Sequence, residues 1–241
     1  MFTAIAAVLV VGISLNSYWA TAITGVGLAV LMVWLKGVSA LFGLKSGLVI
    51  DLVVPIGMIS LGVDFASSTQ WNEEKGKYVY ERAGFENTPE KQIEFVTGII
   101  EKYKIIYAED AVHEEAFEDM AELTAKFPDT LIVGDDLTVT NKNILKKAIE
   151  QKSCNAAILK VNQAGSLYDA LEFAKLASSN NIKLITSHRS GESIDSQISH
   201  IGIGTNSKML KIGVVGGERV AKINELIRIS EHDLIQGVME I

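Results

Sequence analysis

The sequence predicts an α/β protein in which an incomplete parallel barrel of about six β/α units follows a hydrophobic, helical N-terminal segment. First, short apolar runs alternate with amphipathic stretches after residue 58, which is the βαβ rhythm of a parallel sheet. Second, of 22 basic and 29 acidic side chains, only Lys36, Lys45 and Asp51 lie among the first 63 residues. We therefore divide the chain into a hydrophobic segment, 1–57, and a barrel-like domain, 58–241.

The hydrophobic segment is open to three interpretations. Its first 35 residues contain no charged side chain, and a membrane-spanning helix needs roughly 20 apolar residues, so one span fits. Lys36 and Lys45 follow on the side of the domain, which would place a membrane-anchored domain in the cytoplasm. Alternatively, the apolar runs 7–11 and 48–54 are buried barrel strands, or the segment is a signal peptide.

The elements of the domain are predicted in chain order. A strand over 58–63 ends at Asp64, and after a polar stretch a helix begins at Pro89, whose missing N–H costs nothing in a first turn. Further strands are predicted over 105–108, 130–133, 156–159, 182–186 and 208–211. Two further helices are predicted over 114–126 and 218–230. The other helices follow residues whose side chains can cap the first backbone N–H groups, namely Asn141, Ser166 and a position near Ser193.

Polar and charged residues gather where these strands end. Barrel enzymes place their chemistry at the C-terminal ends of the strands, because the loops there converge on one face. The residues in such positions are Asp64, Glu109, Asp135, Lys160, His188, Arg189, Ser190 and Lys211. We therefore expect one functional site at that face, although a closed barrel needs two more strands than the domain provides.

Three of these residues form a candidate metal site. Asp64, Glu109 and Asp135 follow different strands, and three carboxylates brought together repel one another unless a cation lies between them. Oxygen ligands without cysteine or paired histidine favour Mg²⁺ or Mn²⁺ over Zn²⁺. The competing interpretation is that these acids lie solvated in separate loops.

The remaining residues suggest a base and an anion site. Lys160 ends an apolar strand, where desolvation and the charge of Lys211 would disfavour its ammonium form and suit it to act as a general base. The alternative is a strand-end lysine that reaches solvent. Arg189 and Ser190 offer a guanidinium fork and a hydroxyl to a phosphate or carboxylate. A hydrolase using Ser190 and His188 is a rival hypothesis, but no nucleophile elbow surrounds the serine.

Composition excludes other classes. The net charge is −7, and no basic stripe with interleaved aromatic residues occurs, so we expect no nucleic-acid partner. Cys154 is the only cysteine, which rules out an internal disulfide, and its strand-like surroundings indicate a packed thiol.

Five motifs contain the residues at the strand ends. They are LGVDFASS at 61–68, AED at 108–110, GDDLTVTN at 134–141, LKVNQAGS at 159–166 and SHRSGE at 187–192. The domain ends with GGERVAKINEL at 216–226. In these motifs, their order and their spacing, the domain resembles enolase. The resemblance implies an enolase-type TIM barrel, of which the domain is the C-terminal portion.

The resemblance also implies an activity and a role for each site residue. The expected reaction is the interconversion of 2-phosphoglycerate and phosphoenolpyruvate, with Mg²⁺ bound by Asp64, Glu109 and Asp135. Lys160 would remove the C2 proton of 2-phosphoglycerate. Residues implied to contact this small phosphorylated acid are His188, Arg189, Ser190, Lys211 and Glu109.

One feature of enolases is missing from the sequence pattern. In that family an N-terminal α+β domain supplies a glutamate that protonates the leaving hydroxyl, whereas residues 1–63 contain no glutamate. The expected lyase is therefore incomplete unless a homo-oligomer or a partner chain completes the barrel. Two alternatives are a catalytically inactive, membrane-tethered module that binds Mg²⁺ and phospho-acids, and a nonfunctional remnant.

Overall fold

The structure is a computed structural model that describes residues 60–232. Its main element is a six-stranded sheet in which every neighbouring pair of strands is parallel and the strands lie in chain order. A separate antiparallel sheet has three short strands. In chain order the strands are β1 (Gly62–Asp64), β2 (Trp71–Asn72), β3 (Lys77–Tyr80), β4 (Phe85–Asn87), β5 (Tyr107–Glu109), β6 (Leu131–Gly134), β7 (Ala156–Leu159), β8 (Lys183–Ser187) and β9 (Met209–Lys211).

Helices connect the parallel strands. In chain order they are α1 (Pro89–Tyr103), α2 (Phe117–Lys126), α3 (Lys142–Gln151), α4 (Val161–Ala164), α5 (Leu167–Ser179), α6 (Gln197–Gly204) and α7 (Gly217–Ser230). The predicted series of six β/α units is therefore confirmed. The strands β5 to β9 begin and end within two residues of their predicted limits, whereas β1 begins at Gly62, four residues after its predicted start. The described part is an open, barrel-like parallel sheet.

Helix caps explain several of the boundaries. Asn141 Oδ1 accepts hydrogen bonds from the backbone N–H groups of Asn143 and Ile144, and Ser166 Oγ accepts one from Asp169. Both predicted caps are confirmed. The predicted start near Ser193 is wrong, because α6 begins only at Gln197.

A small antiparallel sheet and a short helix were not predicted from the sequence. The polar stretch between β1 and α1 contains the antiparallel sheet of β2, β3 and β4, whose strands have only two to four residues. Tyr78 and Tyr80 of β3 are buried and join the core formed with α1 and α2. The four-residue helix α4 follows Lys160 directly.

The core lies on both faces of the parallel sheet. Ala157 and Leu159 of β7 pack with α5 residues such as Phe173 on the helix-covered face. On the opposite face, alternate residues of five strands form a second cluster, since successive side chains of a strand point to opposite sides. Its buried members are Tyr107, Val133, Ala156, Ile158, Ile185 and Met209. This inner face leads to the C-terminal ends of the strands, where the candidate site lies.

The interpretations of residues 1–57 fall outside the described part of the chain. Among residues 60–232, no helix has the length and apolar character that a membrane crossing requires.

Candidate metal and substrate site

Strand alternation explains why the polar residues meet. Each lies two positions after a buried residue of the inner face and therefore points to the same side of the sheet. The pairs are Tyr107 with Glu109, Val133 with Asp135, Ile158 with Lys160, Ile185 with Ser187, and Met209 with Lys211. Gly62 and Asp64 have the same relation in β1, and a Cβ atom on Gly62 would lie 3.1 Å from Tyr107 Cβ. The glycine therefore lets β1 approach β5 closely.

Lys211 joins the carboxylates of the first two strands. Its Nζ donates to Asp64 Oδ2 at 2.9 Å and to Glu109 Oε2 at 2.6 Å. Tyr107 Oη donates to the same Glu109 oxygen. Asp64 and Lys211 are half-buried and Glu109 is fully buried. Residues from opposite edges of the described sheet, 147 positions apart in sequence, thus contact one another at the site.

Lys160 contacts the third carboxylate. Its Nζ donates a hydrogen bond to Asp135 Oδ2. Its backbone N–H donates to Thr140 Oγ1 at 3.0 Å. Val139 and Thr140 have φ angles of 41° and 51°, and β-branched residues rarely adopt this left-handed conformation unless their surroundings hold them there. The strained turn after β6 therefore links the loop of Asp135 to the backbone of the predicted base.

Asp110 supports the site from behind. Its Oδ1 and Oδ2 accept hydrogen bonds of 2.9 Å from the backbone N–H groups of Asp135 and Asp136. The carboxylate oxygens of Glu109, Asp110 and Asp135 include one set that lies within 4.8 Å of one another, and all three residues are buried. Both oxygens of Asp110 accept from the loop that carries Asp135, so Asp110 fixes that loop. Asp64 is not in this set of three, and its two oxygens accept from the Ala66 N–H and from Lys211 Nζ.

Burial determines the acidity of this cluster. Desolvation raises the pKa of Glu109 to about 7, since it outweighs the opposing charge of Lys211, and the charge of Asp64 raises the pKa further. Desolvation also raises the pKa of Asp110 well above its usual value. For Lys211, desolvation lowers the pKa, but the charges of Glu109 and Asp64 outweigh this effect and raise it. Several buried carboxylates thus lie close together, and an additional positive charge among them would stabilise their ionised forms.

Two buried carboxylate oxygens are candidate ligands for a cation. Glu109 Oε1 and Asp135 Oδ1 are buried and have no hydrogen-bond partner within residues 60–232. Buried polar atoms normally have a partner, so such atoms at a carboxylate cluster are candidate ligands. An all-oxygen donor set suits hard divalent cations. The residues present therefore fit a bound metal ion.

The predicted anion-binding residues lie beside this cluster rather than in it. His188 follows β8 directly and is half-buried, and its backbone N–H donates to Lys211 O at 3.1 Å. Burial lowers the pKa of His188, and the charge of Arg219 acts in the same direction. Arg189 and Ser190 are exposed on the following loop. Within the described residues, no hydrogen bond or ion pair joins these two side chains to the carboxylates.

Of the predicted site residues, Lys211 contacts Asp64 and Glu109, and Lys160 contacts Asp135. Glu109 and Asp135 lie in one carboxylate cluster, whose third member is Asp110. Sequence reasoning missed two supporting roles. Tyr107 has the same strand parity as Glu109, which could have identified it as an inward-facing hydroxyl. The role of Asp110 depends on the path of the neighbouring loop, and no sequence signal reveals that path.

Comparisons with known proteins agree with this architecture. The family model described as "Enolase, C-terminal TIM barrel domain" matches residues 51–238. An enolase of Methanosphaera stadtmanae is 48% identical over 175 residues, which is 72% of this chain and 42% of the relative. An enolase of Methanocorpusculum labreanum is 44% identical over 176 residues, covering 72% of this chain and 44% of the relative. For an enolase of Pyrobaculum aerophilum the identity is 43% over 174 residues, with coverage of 72% and 41%.

The chain therefore spans less than half the length of these curated relatives. Both the family match and the relatives place the similarity in the part of the chain that carries the described site. The chain belongs to the enolase family, and most of its length corresponds to that family's C-terminal TIM barrel domain.

Proposed function

We propose that this chain carries the metal-binding and proton-removing part of an enolase-type lyase that interconverts 2-phosphoglycerate and phosphoenolpyruvate with Mg²⁺. The observation that carries the proposal is a set of contacts at the ends of the parallel strands. Lys211 contacts Asp64 and Glu109, Lys160 contacts Asp135, and Glu109 and Asp135 belong to one buried carboxylate cluster. The names of the relatives support the same reaction class.

Lys160 is the proposed base. A proton on the carbon next to a carboxylate is weakly acidic, so its removal requires a positioned amine and positive charge near the carboxylate. The Lys160 Nζ lies at the edge of the carboxylate cluster, where the side chain is only 12% exposed. As the neutral amine, Lys160 takes the C2 proton; in the reverse direction its ammonium returns the proton to that carbon.

The metal ligands proposed are Asp64, Glu109 and Asp135. The unpartnered oxygens of Glu109 and Asp135 support two of these ligands. Asp64 is included because Lys211 joins its carboxylate to that of Glu109. A bound divalent cation would supply the positive charge that stabilises the charge developing on the substrate carboxylate.

Four further residues are proposed to hold the substrate. Lys211, placed between Asp64 and Glu109, presents an ammonium to the substrate carboxylate. Arg189 and Ser190 extend from the loop after β8, where a guanidinium fork and a hydroxyl suit a phosphate. His188 begins the same loop, and its backbone N–H donates to the carbonyl oxygen of Lys211, so it is proposed as a further contact to the substrate.

Exchange of the C2 proton is the most selective test. The full chain is incubated with Mg²⁺ and 2-phosphoglycerate in D₂O, and loss of the C2 proton signal is followed by NMR. This readout reports the base alone and does not require departure of the hydroxyl. We expect exchange with the wild type and none above background with Lys160→Ala. Lys146→Ala is the matched control, because Lys146 lies exposed on α3.

Formation of phosphoenolpyruvate, followed by its ultraviolet absorbance, then separates the remaining outcomes. Exchange with product formation supports a complete lyase. Exchange without product supports a site in which proton removal operates and departure of the hydroxyl does not. Absence of exchange with a folded, metal-loaded wild type would overturn the proposal.

A further inference from the structure

Lys222 is a fully buried lysine to which the proposed chemistry assigns no role. It lies in the middle of α7, and its side chain has 0% exposure. Lysine is almost never buried to this extent unless its ammonium is paired. Such a residue must therefore have partners that satisfy its charge and its three N–H donors.

The partners of Lys222 all belong to one loop. Its Nζ donates to the backbone carbonyl oxygens of Ser193 and Asp195, the latter at 2.7 Å, and lies 3.7 Å from Glu192 Oε1. In addition, the Ser199 hydroxyl donates to the backbone carbonyl of Lys222 at 2.9 Å, so the first turn of α6 is tied to the same position. Lys222 thus binds the end of the loop through its side chain and the helix after the loop through its backbone.

The same loop carries the proposed phosphate-binding residues. Residues 188–196 connect β8 to α6 without helix or strand, and Arg189, Ser190 and Ile194 are exposed. A loop with this little burial of its own has few contacts to define its conformation. The contacts from Lys222 therefore set where the loop returns to the protein.

A second cation of α7 holds the start of the loop. Arg219 lies one helical turn before Lys222, and residues three apart share a helix face. Arg219 Nη1 lies 2.7 Å and 2.6 Å from the two ring nitrogens of His188. Gly213, at φ +67°, leaves the space, since a Cβ atom there would lie 2.6 Å from Arg219 Cδ. Residues on one face of α7 thus contact both ends of the loop, Arg219 at its start and Lys222 at its end.

We propose that Lys222 is a positioning residue, whose buried ammonium fixes the conformation in which the loop presents Arg189 and Ser190 to the phosphate of the substrate. The inference rests on the proposed function for the identity of the ligand. The effect on loop conformation rests only on the contacts of Lys222.

Three variants of the full chain separate charge from packing. Lys222→Met keeps the length of the side chain and removes the ammonium, Lys222→Gln keeps a donor without the charge, and Lys222→Arg keeps the charge. The control is Lys183→Met, because Lys183 is exposed at the start of β8. Calorimetry measures the affinity for Mg²⁺ and for 2-phosphoglycerate, and hydrogen exchange measures the protection of the amides in 188–196.

We expect Lys222→Met to weaken 2-phosphoglycerate binding about tenfold or more, since small displacements of contacting groups have effects of this size. The affinity for Mg²⁺ alone should stay unchanged, and loop amides should exchange faster. Lys222→Arg should restore part of the binding, and Lys183→Met should behave as the wild type. Where turnover is measurable, KM should rise more than kcat falls.

Three results would overturn the inference. One is unchanged loop exchange in a folded Lys222→Met protein. Another is unchanged 2-phosphoglycerate affinity despite faster loop exchange. If Lys222→Met does not fold, wild-type behaviour of both Lys222→Gln and Lys222→Arg would contradict it. If the wild type binds no 2-phosphoglycerate, the proposed function fails, and loop exchange still decides whether Lys222 fixes the loop.

Discussion

Replacement of Asp110 tests how the loop of Asp135 is held in place. Asp110 is 4% exposed, and its two carboxylate oxygens accept from the backbone N–H groups of Asp135 and Asp136. Leaving one buried N–H without an acceptor costs about 1–3 kcal/mol, so two such groups cost roughly 2–6 kcal/mol. Asp110 also has a left-handed φ of 42°, which alanine tolerates less well than aspartate or asparagine.

One term opposes this loss. Burial raises the pKa of the Asp110 carboxyl well above its usual value, which shows that the charged group is costly to bury. Removing it recovers part of that cost, so we expect Asp110→Ala to lower the free energy of unfolding by about 3 kcal/mol, in the lower half of the range. Asp110→Asn keeps one acceptor and the φ tolerance, and we expect a loss of about 1–2 kcal/mol.

Urea unfolding followed by circular dichroism measures both losses, and Mg²⁺ calorimetry measures the consequence for the site. Asp129→Asn is the control, since Asp129 is an exposed acid in the turn before β6; we expect it to change stability by less than about 0.5 kcal/mol. Both Asp110 variants should bind Mg²⁺ more weakly, because the Asp135 loop loses its support. A loss below about 1 kcal/mol for Asp110→Ala would refute the reasoning, because the two hydrogen bonds would then contribute little.

Three further predictions concern buried groups. Burial raises the pKa of Cys154 to about 12, so thiol reagents near neutral pH should label it only at the rate of unfolding; rapid labelling of folded protein would contradict this. Desolvation raises the pKa of Tyr78 from 10.0 to about 12, opposed by the His113 N–H, so its contribution to stability should be complete below pH 10 and decline as the pH rises to about 12. Tyr78→Phe should flatten urea stability in that window, and an unchanged slope would refute the assignment. Thr140→Val leaves the Lys160 N–H without its acceptor and should slow C2 proton exchange, whereas Thr140→Ser should retain it; equal rates would contradict the link.

Much of the fold follows from local patterns in the sequence. Asn141 and Ser166 cap helices as predicted because a cap depends only on the next few residues. The start of α6 depends instead on Lys222, 29 residues after Ser193, which draws the preceding loop onto α7. The small sheet of β2 to β4 is stabilised by burial of Tyr78 and Tyr80 against α1 and α2. This is a tertiary effect, and the short polar strands carry no local sequence pattern that predicts it.

The site divides in the same way. Their positions at strand ends were sufficient to predict that Glu109, Asp135, Lys160 and Lys211 would converge, because the strand ends of a parallel barrel meet on one face. The pairing of Lys160 with Asp135, and of Lys211 with Glu109, depends on side-chain reach across the sheet and could not be predicted. Nor could the sequence place Arg189, since its position depends on the irregular loop after β8.

The most direct test of the central claim is the location of a bound divalent cation. Crystals of the full chain grown with Mn²⁺ would be examined by anomalous scattering, because Mn²⁺ takes the same oxygen ligands as Mg²⁺. We predict a single strong peak within bonding distance of Glu109 Oε1 and Asp135 Oδ1, with the Asp64 carboxylate also turned toward it. A fully occupied ion elsewhere on the domain, or no peak in crystals with these carboxylates ordered, would contradict the account.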